Sequence, residues 1–142
     1  MEGAGKEPRN VHEELRAKVL EVGAALGLHA VAEYWLGDHG YDVALFRPGK
    51  LFPIAVVEIG VGGDLSKDLA SLEYASSRHN LIPIYVVGSE EDARRVEDKI
   101  QSDFRKIKDE IILLKADELE DLRRTLMSEA IKKAMRTLLC SH

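Results

Sequence analysis

Residues 41–63 read YDVALFRPGKLFPIAVVEIGVGG, and the fold turns on how that stretch divides. YDVALFR (41–47) and FPIAVVEIG (52–60) are rich in β-branched and aromatic residues. Both are apolar on both alternating faces, as in strands covered on two sides. Pro48-Gly49 between them has the residue order of a type II turn. HAVAEYWL (29–36), closed by Gly37-Asp38-His39-Gly40, adds a strand in front. Three strands with short turns predict an antiparallel meander. Gly62-Gly63 ends the pattern, and Asp64 is placed to cap a helix.

Working outward, Asn10 begins a first helix with Glu13 completing a capping-box pattern. Its apolar stripe is Val11, Leu15, Val19, Val22 and Leu26, and Gly27 stops it. After Asp64, Leu65, Leu69, Leu72 and Ala75 line a second helix that Asn80 ends. LIPIYVV (81–87) is a doubly covered strand. Ser89 starts a third helix with Glu90, Glu91 and Asp92 at its positive end. IILLKA (111–116) is a short strand, and Asp117 caps a last helix of about 22 residues. The order is αβββαβαβα. A meander followed by βαβ crossovers predicts an α/β fold: one mixed five-stranded sheet, with helices on both faces. Residues 1–9 read as a flexible lead and 10–142 as one domain, with a core over 10–87 and an αβα extension over 88–142.

The 142 residues suit one domain that needs no disulfide or structural metal. Hydrophobic residues at 45% and charged residues at 32% exclude a disordered chain. Twenty Lys plus Arg against 25 Asp plus Glu leave a formal charge of −5, which argues against a general basic coat for nucleic acid or membrane. No apolar run approaches the ~20 residues of a membrane helix, and the first ten residues lack a signal region. The five histidines show no ligand spacing. One cysteine, Cys140, fits a reducing cytoplasm and lies too near the end for a nucleophile, which leaves it inert or in an intermolecular bridge. Two Asn and one Gln beside many charges lean toward a thermophile.

Asp42 and Glu58 stand inside apolar strands, where an ionised carboxylate costs several kcal/mol unless paired or metal-bound. On adjacent strands the two can share Mg²⁺ or Mn²⁺, which prefer oxygen ligands. The structural alternatives are that Glu58 reaches water near its strand end, and that Asp42 sits just past a turn. The metal reading sets a geometric condition. A two-residue loop at Pro48-Gly49 would pair Asp42 with Ala55 and put Glu58 on the wrong face. A wider connection pairing Arg47 with Pro53 sets Asp42 directly opposite Glu58.

Helix, three-strand meander, helix, strand, with Tyr41-Asp42-Val43 and Val57-Glu58-Ile59-Gly60 on the second and third strands, resembles the PD-(D/E)XK, or restriction-endonuclease-like, nuclease superfamily. The resemblance covers about residues 10–87. It implies a restriction-endonuclease-like core and metal-dependent cleavage of nucleic acid, DNA before RNA. It equally permits a degenerate member that only binds nucleic acid or a protein partner. By resemblance, Glu14 on the first helix is an accessory metal ligand. The family's Lys two residues after the Glu is Gly60 here. Lys67 on the following helix is the displaced catalytic lysine that some members carry; as ordinary surface residues, Glu14 and Lys67 would be solvated.

IGVGGDLSKD (59–68) lacks the spacing of a phosphate-binding loop, and Asp64 would repel phosphate. Tyr34 and Trp35 read as core aromatics, with base stacking the alternative. Basic residues on the last two helices read as a solvated face, with a phosphate-contact strip as the alternative. The last helix adds Met127, Ile131 and Met135 to its leucines. So broad an apolar arc predicts a homodimer through the C-terminal helix.

Overall fold

The computed structural model describes residues 8–140. It is an α/β fold with helices α1 (Pro8–Ala25), α2 (Leu65–His79), α3 (Glu90–Asp103) and α4 (Ala116–Cys140). The strands are β1 (His29–Leu36), β2 (His39–Phe46), β3 (Ala55–Gly60), β4 (Ile82–Val87) and β5 (Ile112–Lys115). They form one sheet in the order β1-β2-β3-β4-β5. The first three run antiparallel, and β3, β4 and β5 are parallel. The expected mixed five-stranded sheet is therefore present.

Two apolar layers flank the sheet. On one side Leu69, Leu72 and Ala75 of α2 and Val96 and Ile100 of α3 meet Ala44, Phe46, Val56 and Tyr85. On the other, Leu15, Val19 and Val22 of α1 and Leu119 of α4 meet Val43, Leu45, Val57 and Val86. Two-residue alternation explains the split, since even and odd positions of β2 and β3 feed opposite layers. Short polar signals set the helix ends. Asp64 accepts the Lys67 N–H at 3.2 Å, Ser89 accepts the Asp92 N–H at 3.1 Å, and Asn80 closes α2 at φ +55°.

Three expectations need correction. α1 begins at Pro8, so Asn10 lies inside it; a proline is well suited to a first turn, where its missing N–H has no partner to lose. Residues 1–7 of the expected lead lie outside the described residues. Trp35 is 65% exposed instead of packed in the core, while Tyr34 sits edge-on to Phe46 at 5.5 Å. The last helix starts at Ala116, and the Glu118 carboxylate reaches back to the Lys115 N–H at 2.9 Å. No helix among the described residues is long and apolar enough to cross a membrane.

Candidate functional site

The β2–β3 connection fixes the site. The Lys50 N–H bonds the Arg47 carbonyl at 3.1 Å and Gly49 has φ +74°, as the Pro-Gly turn requires. The chain does not pair directly after that turn. Leu51 and Phe52 extend the loop, and the ladder opens with the Ile54 N–H on the Leu45 carbonyl at 2.8 Å. Val43 opposes Val57 and Leu45 opposes Ala55. This is the wide-loop register, and continuing it by one residue sets Asp42 opposite Glu58.

The β2–β3 ladder ends there, and carboxylates take over the strand backbone groups. The Asp42 N–H donates to Glu58 Oε1 at 3.2 Å, and the Ile59 N–H donates to Asp42 Oδ2 at 2.7 Å. Two side chains thus close the fork that backbone pairing leaves open. Across β1, Glu33 faces Asp42 with φ +56°, and the β1–β2 ladder skips this pair. The interruption turns Tyr41 onto the α2 side, where its hydroxyl donates to the Ser71 carbonyl at 2.6 Å.

Both helical layers contribute polar groups to the fork. From α1, His12 Nε2 lies 3.0 Å from Asp42 Oδ1. From α2, Asp68 meets Glu58, and the Tyr85 hydroxyl donates to Asp68 Oδ2 at 2.7 Å. Glu58 is 6% exposed. Burial, then the Asp68 and Asp42 charges, push its carboxyl up to about 9. Burial also raises Asp68, against the hydrogen bond from Tyr85. The phenol of Tyr85 is pushed up by burial and by Asp68, and that of Tyr41 by burial and by Glu58. At neutral pH Glu58 therefore keeps its proton.

Asp42 forms part of the wall of an open cleft of about 650 Å³ with Glu33, Trp35, His39 and Lys67. Lys67 is exposed on the first turn of α2, at the same cleft as Asp42. Glu14 is exposed on α1, and the α1 side chain hydrogen-bonded to Asp42 is His12. Among the described residues no group of three or more His, Cys, Asp or Glu is arranged to hold a metal ion. Tyr85 leaves no room for a side chain at Gly60, the position that the resemblance would give to a lysine. A Cβ there would stand 2.5 Å from the Tyr85 hydroxyl and 2.7 Å from Cζ, so the aromatic ring fills the space beside the strand.

Sequence reasoning paired Asp42 with Glu58 but missed His12, Asp68 and Tyr85. The sequence offered only position along the helices for the first two, and for Tyr85 the register that the structure shows. His12 follows Val11 and flanks the α1 stripe as closely as Glu14 does. Asp68 immediately precedes Leu69 in the α2 stripe. Tyr85 is the β4 residue in register with Glu58. Comparison with known proteins finds no match: no family model, curated protein or solved structure matches this chain.

Proposed function

We propose that this chain is a divalent-cation-dependent phosphodiesterase with a restriction-endonuclease-like core, acting on DNA through Asp42 and Glu58. The observation that carries the reading is the β2–β3 register, which sets two acids opposite each other at the end of a ladder. Among the described ion pairs none brings Lys or Arg to either carboxylate; the partner of Asp42 is His12. Glu58, buried and crowded by Asp68 and Asp42, holds a proton at a cost that a bound cation would offset. The donor chemistry fits Mg²⁺ or Mn²⁺, because two carboxylates plus waters suffice for such ions. Once bound, the ion would activate a water and neutralise charge on a phosphoryl oxygen. Asp42 and Glu58 would supply its oxygen ligands. His12 would orient the Asp42 carboxylate through Oδ1, and Lys67 would set an ammonium beside the substrate phosphate in the cleft.

A specific observation favours a second reading. Tyr85 occupies the space a side chain at position 60 would need, and hydrogen bonds link His12, Asp42, Glu58, Asp68 and Tyr85. A network satisfied from within suits a module that has kept the fold and lost the chemistry, binding nucleic acid or a protein partner.

Cleavage of single-stranded, double-stranded and branched DNA with Mg²⁺ or Mn²⁺ separates the two. The enzyme reading expects Asp42→Ala and Glu58→Ala each to lower the rate at least about 100-fold. Wild-type turnover no faster than these variants, with no Mn²⁺ bound at millimolar concentration, establishes the second reading instead.

A further inference from the structure

Among the described residues, the second half of α4 is the exposed part of the helix. From Ser128 to Cys140 every residue is exposed, whereas Leu119 in the first half is buried. Ile131 is 64% exposed, Met135 54% and Leu138 62%. An isolated helix of this length is marginal in water, so a partner for this face would contribute to its order.

The pattern of the face defines the partner. Met127, Ile131, Ala134 and Leu138 follow one another at spacings of four, three and four, the seam of a two-helix coiled coil. The positions flanking that seam are Ser128, Ala130, Met135 and Thr137, none of them charged. Ala130 and Ala134 allow close approach of a second helix. Glu129, Lys132, Lys133 and Arg136 lie on the outer side by helical spacing, so two copies meet without like charges across the seam. Cations outnumber the single acid in this half of α4, while the whole chain carries −5. The exposed segment is therefore complementary to the acidic body of another copy. A parallel pair would crowd two acidic bodies at one end, whereas an antiparallel pair holds them apart and opposes the helix dipoles.

We propose that two copies of this chain associate through α4, antiparallel, along Met127, Ile131, Ala134 and Leu138. The inference is independent of any chemistry at Asp42 and Glu58. Sedimentation equilibrium of the full chain at tens of micromolar tests it. The expected mass is twice 15.8 kDa. Ile131→Glu combined with Leu138→Glu should give a monomer whose near-UV circular dichroism is unchanged. Lys132→Glu, on the outer side, should leave the dimer intact. A wild-type monomer at every concentration, or a dimer indifferent to the seam changes, overturns the proposal. So does a monomer that instead pellets with phosphatidylserine vesicles, which assigns the face to a lipid surface. Cys140, exposed near the helix end, reports direction. In an antiparallel pair that sets Ile131 against Ala134 of the second copy, the two thiols stand about 22 Å apart, at ~1.5 Å rise per residue. A short bis-maleimide should not join them, and an efficient Cys140–Cys140 cross-link overturns the antiparallel arrangement.

Discussion

A methyl group added at Gly60 would meet the Tyr85 hydroxyl at 2.5 Å and its Cε1 at 2.8 Å. Gly60→Ala should therefore overpack the sheet face and cost about 1–3 kcal/mol, read from chemical unfolding. Glu58 makes a second prediction at this scale. Its carboxyl is raised to about 9 in the folded chain from an ordinary value of 4.5. The folded state then binds more protons than the unfolded state between those values. The contribution of Glu58 to stability is fully present below the unfolded value and is lost as pH rises toward 9, by on the order of 1 kcal/mol per pH unit. Glu58→Gln keeps an oxygen to accept the Asp42 N–H and removes that titration. Its melting temperature should exceed that of the wild type by a margin that widens from pH 5 to pH 8 in metal-free buffer. A margin that stays constant with pH would show that Glu58 is not the titrating group. Asp42 and Glu58 were legible as residues because acids in apolar strands are anomalous. His12 and Asp68 were not singled out because polar residues on helices are ordinary, and only the packed layers bring these two to the fork.

At the scale of elements, the strands and helices follow from periodicity and caps. α2 is the element that carries Lys67 and Asp68 to the site, and Asp64 starts it by accepting the Lys67 N–H. Asp64→Ala should cost about 1 kcal/mol, a loss of ~3 °C in melting temperature for a domain of this size. Because Asp64 is exposed, the loss should come without repacking of the core. The start of α1 was misplaced because a capping-box pattern at Asn10 competes with a helix-compatible proline two residues earlier. The sequence signal also runs out at Trp35. β1 is an edge strand with Glu33 in a left-handed conformation, and one such residue disrupts the alternation that would have buried the ring.

For the whole molecule, the sheet order puts β3 at the centre, with α2 and α3 on one face and α1 and α4 on the other. α1 and α4 are also tied by charge. Glu120 accepts from Arg123 at 2.9 Å and from Lys18 at 3.0 Å, which together hold its carboxyl down to about 2. That clasp lies in the second turn of α4, and from Ser128 onward every described residue of the helix is exposed. Association through the exposed half should make the melting temperature rise with protein concentration, and the seam variants should abolish that dependence. A concentration-independent wild type would agree with a monomer and count against pairing.

The sequence by itself determined the element order, the mixed five-stranded sheet, the α2 and α3 caps, and the presence of two acids in apolar strands. These depend on local periodicity and on side chains competing for nearby backbone groups, which neighbouring residues decide. Tertiary structure alone decided the β2–β3 register, because the Pro-Gly turn at 48–49 is compatible with more than one loop length. It alone brought His12 and Asp68 to the fork from opposite layers, and set Tyr85 against Gly60. His12 and Asp42 are 30 positions apart and Asp68 and Tyr85 17, and no local propensity encodes such contacts.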